Sequence, residues 1–259
     1  MIGIDKIAYT SKIAKIDPFQ KFLFSIIPLL LCICLNSITL SILTIFIMGY
    51  ASFKLGGISY KTFSALLLIP LAFLIFGSFT VMINQFPKDY NVLFGIKVGN
   101  YMYGVSSGSF LNGLNIIFKA LAAVSCMYFF SLNTNMNSFF IMLRKTKLPI
   151  LFIEIMELMY RFIFIIFEEG QRIYIAQNSR LGYVGFKNKL KSTADLVSTV
   201  FISAFKKVDR INSALESRGF NGSLDSLEES YEKDKKFNIY TILVCTLLIV
   251  AYILERIVK

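Results

Sequence analysis

Residues 22–53 contain no aspartate, glutamate, lysine or arginine. Few folds are open to a charge-free apolar segment of that length. In a soluble domain it would need a core on every side, whereas a bilayer solvates it directly. One spanning helix takes about 20 residues, so the run is too long for a single span, and Asn36-Ser37 is its natural break. We read two short spans, 22–35 and 38–53, joined as a tight hairpin; the alternatives for segments this short are a partly re-entrant pair or one longer, tilted span. A second charge-free run covers 62–86 and holds Pro70, which membrane helices tolerate because neighbouring groups re-satisfy the freed carbonyl. The next span is 111–132, with Lys119 in its first half, a lysine that snorkels or faces the bundle interior. The last span is 237–254. Between them, 87–112 is rich in glycine, asparagine, serine and tyrosine and reads as an external loop.

Composition points the same way. The chain has 259 residues, of which 56% are apolar and 17% charged, against about 25% charged in soluble domains. The net charge of +11 is therefore assigned to cytoplasmic loops and anionic headgroups, not to a nucleic-acid partner. Basic residues gather between Arg144 and Arg218, which places that region in the cytoplasm. Counting spans backwards puts Lys54, Lys61 and the N-terminus, with Lys6, Lys12, Lys15 and Lys21, on the same side. The expected fold is all-α: a polytopic membrane protein with about five transmembrane helices and long cytoplasmic coupling helices. It divides into a membrane bundle at 1–143, a coupling-helix region at 144–224, and an acidic linker plus C-terminal span at 225–259.

The same residues exclude most chemistry. Histidine is absent, which removes the usual general base and the commonest metal ligand. Cys32, Cys34, Cys126 and Cys245 lie inside apolar runs and are read as packing residues; Cys32-x-Cys34 is not a zinc spacing. The stretch G-G-I-S-Y-K-T at 56–62 lacks the glycine before lysine that lets backbone N–H groups wrap a phosphate. Ser179 and Ser217 have no histidine to activate them. Glu154 and Glu157 could in principle form an acid–base couple, but together with Arg161 and Glu168 they recur at helical spacing, as one polar stripe does. No catalytic, cofactor or metal site is expected on this chain.

What remains distinctive is the charged helical region. Residues 148–182 and 187–220 read as two long helices. In the second, Leu190, Ala194, Val197, Phe201, Ala204, Val208, Ile211 and Leu215 alternate steps of four and three. That heptad stripe suits packing on another helix or lying at a membrane surface. Each helix ends on a variant of one motif: A-Q-N-S-R-L-G-Y at 176–183 and A-L-E-S-R-G-F at 214–220. Glycine after arginine has two readings. It makes an ordinary helix stop, with arginine favoured by the helix dipole. It also presents a guanidinium that can reach a carboxylate in a partner's groove through two parallel hydrogen bonds.

These two segments, the second extended back to Phe205 as F-K-K-V-D-R-I-N-S-A-L-E-S-R-G-F, together with I-D-K-I-A-Y-T-S-K and I-D-P-F-Q-K near the N-terminus, resemble the transmembrane (T) component of energy-coupling factor transporters, in particular the cobalt-type branch CbiQ. The resemblance covers nearly the whole chain, and the first motif departs from the more usual A-R-G form. It implies two cytoplasmic nucleotide-binding ATPases docked on the arginine-bearing ends, with Ser179, Arg180, Leu181, Gly182, Ser217, Arg218 and Gly219 as the contact residues. It also implies a separate metal-binding capture subunit in the membrane. ATP and Mg would sit on the ATPases, and this chain would be a non-catalytic, multi-pass subunit of a bacterial or archaeal cell membrane importing cobalt or nickel. The rival readings are a T component of the vitamin-type branch, a polytopic enzyme acting on lipid or prenyl substrates, and a scaffold with no transport role.

Overall fold

The computed structural model describes residues 3–87, 94–98, 101–219 and 231–258. Phe220 and residues 221–230 of the acidic linker, and residues 88–93 and 99–100 of the expected external loop, lie outside the described residues. The elements run α1 Gly3–Thr10, α2 Pro18–Leu35, α3 Ile38–Lys54, α4 Tyr60–Met82, β1 Asn84–Pro87, β2 Phe94–Val98, β3 Tyr101–Val105, α5 Ser107–Asn133, α6 Met136–Arg144, α7 Ile150–Ser179, α8 Phe186–Glu216 and α9 Lys235–Val258.

Two compact units result, one of residues 2–139 with 229–259, the other of 140–228. In the first, α2, α4, α5 and α9 are long and apolar enough to cross a membrane, while α3, at 17 residues, is shorter. This is a polytopic, almost entirely helical membrane protein. The hairpin breaks at Asn36-Ser37 for local reasons. Asn36 takes the left-handed conformation (φ 50°) that ends α2, and the Ser37 hydroxyl accepts from the Leu40 N–H at 3.4 Å to start α3. Asp17 caps α2, accepting from the Phe19 N–H, and Pro18 fills the first turn, where no N–H partner is needed.

α5 lies at the centre of this unit, packed on α2, α3 and α4. Phe24 of α2 meets Phe129 of α5 at 4.8 Å between ring centroids and Phe237 of α9 at 5.3 Å. α4 approaches α5 closely because Gly113 has no side chain: a Cβ there would fall 2.4 Å from Met82, and the Ser78 hydroxyl donates to the Gly113 carbonyl. Elsewhere α4 buries only Phe63 and Ser78 and exposes Phe73 and Phe76 almost fully. An all-round apolar helix of this kind is solvated by lipid. Lys119 donates to Asn36 Oδ1 at 3.0 Å, so it reaches the α2–α3 turn. Cys32 and Cys126 are buried, as a packing role requires, but Cys34 is exposed on the outer face of α2.

The expected external loop needs correction. Its described residues form a three-stranded antiparallel sheet in the order β1-β3-β2, with Phe86 opposite Met102 and Ile96 opposite Tyr103. α4 accordingly ends at Met82 and α5 starts at Ser107, four residues earlier than the hydropathy break.

Candidate functional site

In the second unit, α7 and α8 form an antiparallel pair. Gly170 faces Val200 at 3.8 Å from its ideal Cβ position, and nearer the tip the Ser192 hydroxyl donates to the Gly182 carbonyl at 2.7 Å. The face of α8 turned to α7 carries Leu196, Val200 and Ala204. Val197, Phe201 and Ala204 of the expected heptad stripe line the same crossing, while Leu190, Val197, Phe201 and Val208 stay largely exposed, as do Phe186 and Phe205 beside them. On α7 the polar stripe is an ion-pair device. Glu157 accepts from Arg144 at 3.0 Å and from Arg161 at 2.9 Å, and Glu168 accepts from Arg172 at 2.7 Å. Both carboxylate oxygens of Glu157 are thus engaged, one by each guanidinium.

The first motif closes α7. The Ser179 hydroxyl turns back to the Ile175 carbonyl at 2.9 Å, and the Arg180 N–H returns to Gln177 O at 3.1 Å. The left-handed position is then taken by Leu181 (φ 59°), not by glycine. This corrects the expectation that glycine makes the stop here. Gly182 is needed for space instead: a Cβ would lie 2.8 Å from Ser192 Oγ and 3.0 Å from Gln177 O. The Tyr183 hydroxyl donates to Gln177 Oε1 at 2.8 Å and its ring meets Tyr174 at 4.8 Å, bracing the turn. Desolvation pushes the Tyr183 phenol up from its ordinary value, with Tyr174 the second cause, so it stays a neutral donor. Gly185 (φ 79°) then opens α8.

The second motif follows the simpler pattern. Ser217 is the helix cap, its hydroxyl donating to the Ala214 carbonyl at 3.0 Å. Arg218 N–H returns to Leu215 O, and Gly219 takes the left-handed conformation (φ 72°) with open space around it. Arg180, Leu181, Arg218 and Gly219 are all exposed. Neither arginine has an ion-pair partner among the described residues.

The two motifs do not converge. Arg180 sits at the tip where α7 turns into α8, and Arg218 at the far end of α8. The 31 residues of that helix span about 46 Å at 1.5 Å per residue. The arrangement is two separate exposed arginine ends on one helix pair. Among the described residues no three His, Cys, Asp or Glu side chains group as metal ligands. The strain at Leu181 carried no sequence signal, since the motif's glycine drew the left-handed assignment to itself.

Comparison with known proteins gives a consistent picture. The family model CbiQ, described as a cobalt transport protein, matches residues 10–229. An uncharacterized protein of Methanocaldococcus jannaschii is 27% identical over 256 residues, covering 96% of this chain and 92% of that one. The cobalt transport protein CbiQ of Salmonella typhimurium is 26% identical over 222 residues, covering 86% of this chain and 98% of its own. The energy-coupling factor transporter transmembrane protein EcfT of Bacillus subtilis is 24% identical over 231 residues, 82% of each chain.

Proposed function

The chain belongs to the CbiQ cobalt transport family, and we propose that it is the transmembrane coupling subunit of an energy-coupling factor importer for cobalt or nickel. It carries no ATPase of its own. Two nucleotide-binding ATPases dock from the cytoplasm, one at Arg180 and one at Arg218, and a separate membrane subunit captures the ion. The single observation that carries this reading is the pair of exposed arginines at opposite ends of α8, neither with an ion-pair partner among the described residues. An unpaired guanidinium held on a rigid helix end is set up for a carboxylate supplied by another chain. Two such ends on one helix suit two copies of one partner.

In this mechanism ATP binding closes the ATPase dimer and its grooves move toward each other. Because α7 and α8 are packed through Gly170 and Val200, displacement of either end is carried along the pair as a rigid-body shift. That shift tilts the capture subunit and releases its ion inward. The N-terminus lies in the cytoplasm, on the side of the basic coupling region. Ion selection resides on the capture subunit, in keeping with a chain that lacks histidine.

The test is affinity purification of the tagged chain from its native membrane, with cobalt uptake measured in the same cells. Removing one partner of a charge pair that is buried and hydrogen-bonded in the interface costs about 2–5 kcal/mol. Arg180→Ala and Arg218→Ala should therefore each weaken ATPase recovery, the double variant should lose it, and uptake should fall in parallel. Intact ATPase recovery and uptake in the double variant would reduce both motifs to helix caps. If the ATPases co-purify with several vitamin-binding membrane proteins, the coupling mechanism stands and the substrate moves to the vitamin branch.

A further inference from the structure

A second feature lies in the membrane bundle, away from the arginine ends. α2, α3 and α9 leave a groove of about 460 Å³ whose walls include Phe46, Tyr50, Leu243, Val244 and Leu247. Its lining is apolar except at one end, where Lys54 closes it. That end is also where α3 finishes and α9 begins with Lys235 and Lys236. The Lys54 ammonium sits 5.4 Å from the centroid of the Tyr50 ring, one helical turn back. It has no carboxylate partner among the described residues. The groove opens on the outer surface, since Phe46, Tyr50, Leu243 and Leu247 are all substantially exposed, and α2 and α9 that flank it are candidate membrane spans.

The shape and the charge select one kind of occupant. An apolar trough running along membrane helices takes an acyl chain. A cation at its polar end, without a carboxylate partner among the described residues and with further lysines at the start of α9, takes an anionic headgroup. We propose that this groove is a binding site for one anionic phospholipid of the adjoining leaflet. One acyl chain lies between α3 and α9, and the phosphate pairs with Lys54. A zwitterionic lipid fills the trough equally well but brings its own ammonium to the same end, so Lys54 discriminates against it.

The chain contains no tryptophan, so one introduced tryptophan reports on its own surroundings. The full chain carrying Leu247→Trp is reconstituted in bilayers of phosphatidylcholine and phosphatidylglycerol, with either lipid brominated on its chains. Leu68→Trp, on the exposed face of α4, reports ordinary lipid contact. The expected result is a preference for phosphatidylglycerol at position 247 of roughly five-fold over that at position 68. Lys54→Ala should abolish the difference and Lys54→Arg should keep it. Val244→Phe, which fills the trough without altering charge, should lower quenching at position 247 by both lipids. Equal preference at the two reporters, or a preference at position 247 that survives Lys54→Ala, would overturn the site. So would quenching at position 247 that Val244→Phe leaves unchanged.

Discussion

Leu181 and Gly182 divide between them what one glycine does at Gly219. A non-glycine residue in the left-handed region costs of order 1–3 kcal/mol and persists only where its surroundings hold it. Leu181 is held by Tyr183 and Gln177 on one side and by the Ser192–Gly182 bond on the other, yet its own side chain is 71% exposed. That strain gains the leucine no burial among the described residues, which suits the contact role proposed for it. This separates contact from cap. Leu181→Gly relieves that strain at an unfolded-state entropy cost of only about 0.4–1 kcal/mol, so the thermal midpoint in detergent should hold or rise. ATPase recovery should fall nonetheless. Gly182→Ala should do the reverse of a contact loss, lowering stability by about 1–3 kcal/mol through overpacking against Ser192. Gly219→Ala, with open space around it, should cost only about 1–2 kcal/mol of left-handed strain. A large loss of stability in Leu181→Gly would show that the leucine serves the fold and not a partner. The motifs themselves were legible in the sequence, but the exchange of roles between Leu181 and Gly182 was not, because it is decided by Ser192, ten residues further on.

The elements were legible to very different degrees. The membrane helices follow from where charge stops, and the Asn36-Ser37 break follows from two polar residues in a charge-free run. The sheet was hidden because its pairing is non-local: β1 joins β3 and skips β2, and glycine-rich strands read as loop. The face of α8 was half legible. Its apolar residues cover more of the helix than α7 can bury, and periodicity does not say which part is used. At the crossing Val200 stands opposite Gly170. A Cβ at position 170 stands 3.8 Å from Val200, an ordinary contact. Gly170→Ala should therefore be accommodated and should gain helix propensity of about 1 kcal/mol, seen as a raised thermal midpoint. Gly170→Leu should wedge the helices apart, leave the membrane bundle folded and uncouple uptake from ATP hydrolysis. Full uptake in Gly170→Leu would mean that the crossing does not carry the stroke.

At the scale of the molecule, the membrane unit is tied together by a polar junction no linear pattern reveals. Lys21 is fully buried and donates to the carbonyls of Ala14 at 3.2 Å and Asn133 at 3.0 Å. Asn133, also fully buried, accepts from the Ser11 hydroxyl at 2.7 Å and donates to Phe129 O at 2.7 Å. Gln20 reaches across to α9, donating to Asn238 Oδ1 at 2.8 Å and accepting from the Asp234 N–H. The N-terminal segment thus ties the ends of α5 and α9, and the Gly56 turn after α3, into one body. The junction closes over Gly56, whose added Cβ would fall 2.3 Å from Asn133 Oδ1 and 2.6 Å from Ser52 O. The backbone at Gly56 is not left-handed, so only space is at issue. Gly56→Ala should cost about 1–3 kcal/mol, measured as thermal unfolding in detergent. Asn133→Ala should also destabilise, because it leaves Ser11 without that acceptor and the Phe129 carbonyl without that donor. The two changes share one space, so they should not add. Once Asn133 is shortened, half of the obstruction at position 56 is gone, and the double variant should be more stable than the sum predicts by about 0.5–3 kcal/mol. The remaining clash with Ser52 O keeps the rescue partial. Strict additivity would mean that Gly56 is required by the α3 backbone alone and that the junction does not close on Asn133.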